Sequence, residues 1–169
     1  MFNFVPEYYF ETFDMVKAEY LLSIGIKGIV LDIDNTLEPY EHPKASKKVK
    51  DWIDSLHAAG IKTAIVSNNN EERVKIFNED FGMPAYFKGA KPFKNNVLRA
   101  ISDMGISVQN AILMGDQIFT DVWAAHNAGI PAILVQPIND KKDLLTRVKR
   151  LLERPIMYIY MKRRELNES

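Results

Sequence analysis

Asp32 and Asp34 stand two residues apart where the apolar run Gly28-Ile29-Val30-Leu31 ends. On a continuing strand their carboxylates would share a face and repel. A fold holds such a pair when a cation or a shared proton relieves the repulsion. The plainer reading is an acidic strand end passing into a loop. Three more polar groups follow other short apolar segments: Ser67 after IKTAIV, Lys91 in GAKP, and Asp116 after AILMG. Together they can do one chemistry. Asp32 can attack phosphorus as a nucleophile, as carboxylates do when aspartyl-phosphates form. Phosphoryl transfer needs in-line positioning and neutralised oxygen charge. Mg²⁺, a hard cation suited to a few carboxylates, a carbonyl and waters, can be held by Asp32 and Asp116. Asp34 is then free to protonate the leaving oxygen and later to deprotonate the attacking water. Ser67 and nearby backbone N–H groups can bind phosphoryl oxygens, and Lys91 can add a fixed positive charge. Asp121, five positions after Asp116, can serve the metal site or orient Lys91.

These residues need strands to bring them to one edge. Apolar runs of strand length recur as KGIVLDI (27–33), IKTAIVS (61–67), AILM (111–114) and PAILV (131–135), with AYF (85–87) as a shorter candidate. Helix-like segments lie between them. SKKVKDWIDSLHAAG sets Val49, Trp52, Ile53 and Leu56 on one stripe and ends at Gly60. NNEERVKIFNEDFG, FKNNVLRAISDMG, DVWAAHNAG and DKKDLLTRVKRLLE follow the same pattern of helical spacing. The alternation predicts an α/β fold, a three-layer Rossmann-like parallel sheet with helices on both faces. In such sheets ligands bind beyond the carboxyl ends of the strands, where all of these groups fall.

Composition sets the bounds. With 169 residues, 47% of them hydrophobic and 26% charged, the chain predicts one domain with a sizeable core. It has no cysteine, hence no disulfide framework, thiolate metal site or thiol nucleophile, which fits a cytoplasmic setting. No apolar run approaches the roughly 20 residues that span a bilayer. The N-terminus carries acids and no early positive charge, unlike a signal peptide. The net charge of zero hides an asymmetry: residues 141–164 hold nine Lys/Arg against two acids, whereas residues 1–140 hold 13 against 18. No nucleic-acid partner is expected. The three histidines, His42, His57 and His126, lack ligand spacing and read as structural. Trp52 and Trp123 read as packing residues, and Asn35, Asn68 and Asn69 as turn formers.

The motifs resemble those of the haloacid dehalogenase (HAD) superfamily. DIDNT is similar to its DxDxT signature, and IVSN, GAKP and GDQIFTD are similar to its second, third and fourth motifs, in order. The short length and GDQIFTD look most like the capless IIIA-type phosphatases, in particular the YqeG-like group. The resemblance implies that Asp32 is the nucleophile and Asp34 the general acid/base. It implies phosphate binding by Ser67 and Lys91, with Asn68 beside Ser67 grouped with them. It implies Mg²⁺ on Asp32, Asp116 and the backbone carbonyl of Asp34, with Thr36 and Asp121 as accessory residues.

Asp32 to Ser67 is 35 residues and Ser67 to Lys91 is 24, and each interval is used up by one helix and one strand. Neither leaves room for a cap domain, so the mouth should be open. That suits a phosphate on a large or membrane-borne molecule, or a site lidded by a second copy in a homo-oligomer. Residues 1–20 carry seven Phe/Tyr, and the basic region ends in IMYIYMKRR. Aromatics beside Lys/Arg suit peripheral contact with anionic lipid; sheet-edge cover or an oligomer interface is the plainer reading. The YqeG-like group also resembles eukaryotic phosphatases that act on phosphatidylglycerophosphate. The expected layout is a core over about 27–153, an aromatic N-terminal extension over 1–24 and a basic C-terminal tail over 154–169.

Two other functions use a similar residue set. A receiver-type phosphoacceptor carries its phosphorylated Asp at a later strand than its acidic pair; here the strand after the pair ends in Ser67. A non-catalytic assembly module could keep the fold, but the intact set Asp32, Asp34, Ser67, Lys91 and Asp116 argues against it.

Overall fold

The structure is a computed structural model and describes residues 4–139 and 144–168. Among these residues, six parallel strands form one sheet: β1 (Tyr8–Phe10), β2 (Gly28–Leu31), β3 (Lys62–Val66), β4 (Ala85–Tyr86), β5 (Ala111–Gly115) and β6 (Ala132–Val135), in the order β1-β6-β5-β2-β3-β4. Among the described residues, six α-helices accompany them: α1 (Ala18–Ser23), α2 (Lys47–Ala58), α3 (Glu71–Asn78), α4 (Asn95–Asp103), α5 (Trp123–Ala128) and α6 (Leu144–Glu168). This is the expected three-layer fold, with no cap domain among the described residues.

The strands are apolar on both sides because both faces are covered. Ile29 and Leu31 of β2 join Ile65, Ile112 and Met114 in a core under α2, with its buried stripe Val49, Trp52, Ile53 and Leu56. Val30 joins Ala64, Val66 and Leu113 in a second core under α4 and α5. Two helix starts are capped as their sequences dictate. Ser46 Oγ accepts from Val49 N at the start of α2, and Asn70 Oδ1 accepts from Arg73 N at the start of α3.

Both chain ends are tied to the sheet. The N-terminal aromatics are part of the fold: Tyr8–Phe10 adds an edge strand beside β6, Tyr8 and Phe10 pack edge-on to Tyr20, and Phe13 packs on Trp52. Phe4 packs against Phe119 and Trp123. These contacts place the described N-terminal aromatics along the β1 edge of the sheet and on the helices beside it. At the other end, α6 passes through Pro155 without a break. The helix is held on either side of the proline: buried Glu153 accepts from Ile118 N, and Ile156 and Met157 pack on the second core. Lys141, Lys142 and Asp143 of the basic segment lie outside the described residues. No described helix is long and apolar enough to cross a membrane.

Candidate active site

The sheet changes winding direction at β2. The chain moves from β2 outward to β3 and β4, and then returns to the other side with β5. Ligand sites of doubly wound sheets form at such a switch point. Asp32 follows β2 and Asp116 follows β5, and these strands are neighbours with Leu31 opposite Met114. Asp32 N continues the ladder by donating to Met114 O at 3.0 Å. The topology itself therefore sets the two acids side by side.

Asp121 completes the cluster. After β5 the chain makes one wide π-type turn over Ile118–Val122, a form common at functional sites. The turn swings Asp121 back, so that its Oδ2 accepts from Gln117 N at 3.0 Å. Gly115 gives it room: a Cβ there would stand 2.2 Å from Asp121 Cγ. Asp32, Asp116 and Asp121 are all buried, and each offers a carboxylate oxygen within 4.8 Å of the others. Thr36, in the loop after β2, donates to Asp116 Oδ1 at 3.3 Å.

Lys91 enters this cluster from the loop after β4. Its Nζ donates to Asp32 Oδ1 at 2.7 Å and to Asp121 Oδ1 at 2.6 Å, and its side chain is only 2% exposed. Burial works against its charge, but Asp121 and Asp32 outweigh that and hold the ammonium above the usual lysine range. Burial raises Asp32 to about 7, against the pull of Lys91 and with Asp121 and Asp34 adding to the rise. Three acids around one ammonium leave an excess of negative charge when all are ionised. That donor set, oxygens only and electrically uncompensated, fits a divalent cation.

Asn68 sets the height of the lysine loop. Its Nδ2 donates to Lys91 O at 3.1 Å, and its Oδ1 accepts from Lys91 N at 2.9 Å. Its side chain thus holds the Lys91 backbone. Ser67 is buried at the end of β3, and its Oγ accepts from Asn69 N at 3.2 Å.

Asp34 stands apart from the acid cluster. Its Oδ2 accepts from Asn69 Nδ2 at 2.7 Å and its Oδ1 from Arg73 Nε at 3.0 Å. It is more accessible than the two acids paired with Lys91, 19% exposed against 9% for Asp32 and 2% for Asp121. Sequence reasoning missed Arg73 and read Asn69 only as a turn former. A signal existed. Arg73 lies in the first turn of α3, where the helix dipole favours acids such as Glu71 and Glu72 and disfavours a cation. An arginine there needs a partner from elsewhere.

The histidines take no part in the cluster: His57 pairs with Thr63 at 2.7 Å and His126 with Glu7 at 3.1 Å, and His42 stands 3.8 Å from Glu38. Trp52 is buried, and its Nε1 donates to Val16 O at 2.8 Å.

Comparison with known proteins decides the family. The profile of the haloacid dehalogenase-like hydrolases matches residues 9–135. The chain belongs to this family. It is 36% identical over 154 residues to the probable phosphatase YqeG of Bacillus subtilis, an alignment that covers 91% of this chain and 90% of that protein. Among solved structures, the cobalt-bound deoxy-D-mannose-octulosonate 8-phosphate phosphatase of Haemophilus influenzae superposes with a TM-score of 0.54 at 14% identity, covering 67% of this chain and 80% of that one. CbbY of Rhodobacter sphaeroides in complex with phosphate also gives 0.54, at 15% identity and covering 66% and 86%. At these identities the two structures speak for the fold alone. With the family and the YqeG relative, the expectation of an HAD-type phosphatase, a phosphoric monoester hydrolase, is borne out.

Proposed function

We propose that this phosphatase is Mg²⁺-dependent and works through an aspartyl-phosphate at Asp32. The observation that supports this most directly is the Lys91 ammonium bridging Asp32 and Asp121, inside a cluster that Asp116 completes. A carboxylate, a fixed cation and a hard-metal donor set thus share one buried point. Asp32, Asp116 and the backbone carbonyl of Asp34 would hold the metal, with Asp121 as its accessory acid. Once bound, Mg²⁺ neutralises charge on the phosphoryl oxygens.

The rest falls to the protein. Lys91, with Ser67 and nearby backbone N–H groups, binds the phosphoryl oxygens, and Asn68 keeps Lys91 at its height. Asp32 attacks phosphorus; the P–O bond to the leaving group breaks, and the leaving oxygen takes a proton from Asp34. Asp34 then takes a proton from water, whose oxygen attacks the phosphorus of the aspartyl-phosphate. Inorganic phosphate departs and Asp32 is restored. Asp34, the more exposed acid, is the one that an arriving leaving group can reach.

The substrate we propose is a phosphate on a large or membrane-borne molecule, with phosphatidylglycerophosphate as the leading candidate. The absence of a cap supports an open mouth. Tyr40, Phe87, Phe93 and Ile138, all in segments that follow the carboxyl ends of strands, are exposed. Leu151, Leu152, Tyr158, Ile159 and Met161 are exposed along α6, next to Lys162, Arg163 and Arg164. Apolar residues beside basic ones on a helix suit an anionic lipid surface.

Hydrolysis of p-nitrophenyl phosphate with Mg²⁺ and with EDTA tests the reaction, and trapping of phosphate on Asp32 tests the intermediate. Turnover of phosphatidylglycerophosphate in vesicles, set against small sugar phosphates, tests the substrate. Preference for the small soluble phosphates and no sedimentation with anionic vesicles would remove the lipid reading and leave the phosphatase standing.

A further inference from the structure

We propose that Arg73 is a positioning residue for Asp34, and that it sets how well the leaving group is protonated. The proposal rests on the reading of Asp34 as general acid/base. Arg73 is buried, unusual for an arginine, and it ties together segments far apart in sequence. Its Nε donates to Asp34 Oδ1 at 3.0 Å, its Nη1 donates to Pro43 O at 2.6 Å, and its guanidinium lies 5.8 Å from the centre of the Phe77 ring. Pro43 belongs to the segment between β2 and α2, so Arg73 joins that segment, α3 and Asp34 in one bridge.

Asn69 holds the other carboxylate oxygen, and it is itself fixed, because Asn70 N donates to Asn69 Oδ1 at 2.7 Å. Asp34 is therefore gripped at both oxygens by donors whose own positions are set. The third nitrogen of the guanidinium, Nη2, is buried and has no hydrogen-bond partner among the described residues. An orphaned buried donor is costly and asks for a reason. Here it gives Arg73 a spare N–H beside the carboxylate. When Asp34 turns from Asn69 toward a leaving oxygen, Arg73 can keep hold of it. A lysine cannot copy this, since it has a single nitrogen and no planar fork.

The test compares kcat/KM for p-nitrophenyl phosphate, a good leaving group, with that for phenyl phosphate, a poorer one. The wild-type chain, Asp34→Asn, Arg73→Gln, Arg73→Lys and the Asp34→Asn/Arg73→Gln double variant are measured, each checked for a wild-type-like melting curve. General acid help matters more for the poor leaving group. Arg73→Gln is expected to lose about tenfold more on phenyl phosphate than on p-nitrophenyl phosphate, following Asp34→Asn in direction. The double variant should lose no more than Asp34→Asn alone, because the two side chains act as one unit. Equal losses of Arg73→Gln on both substrates, or a double variant that multiplies the single losses, would overturn the positioning role while Asp34→Asn keeps its bias. Equal losses in Asp34→Asn itself would overturn the acid/base reading, and this proposal with it. Should Arg73→Gln fail to fold, Arg73→Lys is judged by the same bias between substrates, and its absence in a folded protein overturns the proposal.

Discussion

Lys91 Nζ lies 2.7 Å from Asp32 Oδ1 with both side chains nearly closed off from water, so each charge depends on the other. Replacing Lys91 with Met removes the ammonium that pairs with Asp32 and Asp121 and leaves buried carboxylates uncompensated. Breaking a buried pair from one side costs about 3–5 kcal/mol. Urea denaturation of Lys91→Met should show that loss, and added Mg²⁺ should restore part of it. A variant as stable as the parent in EDTA would contradict the pairing.

Asp32→Asn should abolish turnover, and its stability relative to the parent should rise with pH. Burial first, opposed by Lys91, puts the folded-state Asp32 at about 7, above its ordinary 3.8. Between those values the folded chain keeps a proton that the unfolded chain has lost. The contribution of Asp32 to stability is therefore complete below 3.8 and is lost as pH rises through about 7. Asparagine does not suffer that loss. In EDTA, the melting temperature of Asp32→Asn relative to the parent should be higher at pH 8 than at pH 5, by calorimetry at both values.

Gly115→Ala should disable the site without unfolding the sheet. A methyl group there would stand 2.2 Å from Asp121 Cγ and must push that side chain aside. Asp121 would then lose its 2.6 Å contact with Lys91. Misplacement by about 1 Å can cost about 100-fold in rate. Steady-state kinetics should show a fall approaching that size in kcat/KM, with far-UV circular dichroism unchanged.

Divalent cations should stabilise the resting protein. A ligand at 100 times its dissociation constant adds about 2.7 kcal/mol to a folded state that alone binds it. Mg²⁺ should raise the melting temperature of the parent in a saturable way. Asp116→Asn, which removes one of the three clustered acids, should weaken that response at least tenfold in the concentration required. An identical response in both proteins would place the cation elsewhere.

Much of the fold was legible because the relevant signals are local. The buried runs of β2, β3, β5 and β6 read as strands from their length and apolar character, and α2 read as a helix from the spacing of Val49, Trp52, Ile53 and Leu56. Strand ends locate polar groups on one edge whatever the strand order, so Asp32, Ser67 and Asp116 could be grouped before any geometry was known. β1 was not legible. Its three residues carry no alternating pattern of their own, and they become a strand only because β6 presents an open edge. The passage of α6 through Pro155 was equally hidden, since a proline ordinarily ends or kinks a helix and only packing on both sides keeps this one running.

The sequence by itself determined which side chains are candidates for phosphoryl chemistry and that they follow strand ends. Residue type and position within an element follow from short-range patterns, so a chain can be read for them. Tertiary structure alone decided which charge answers which. Lys91 meets Asp32 across 59 positions and Asp121 across 30, and Arg73 meets Asp34 across 39. In EERVK, Arg73 looks like one more solvated helix charge beside Lys75, which is indeed paired with Glu71 on the surface. What separates the two is burial: once α3 is packed on the sheet, the cost of an unpaired guanidinium away from water forces Arg73 onto Asp34, while Lys75 stays hydrated.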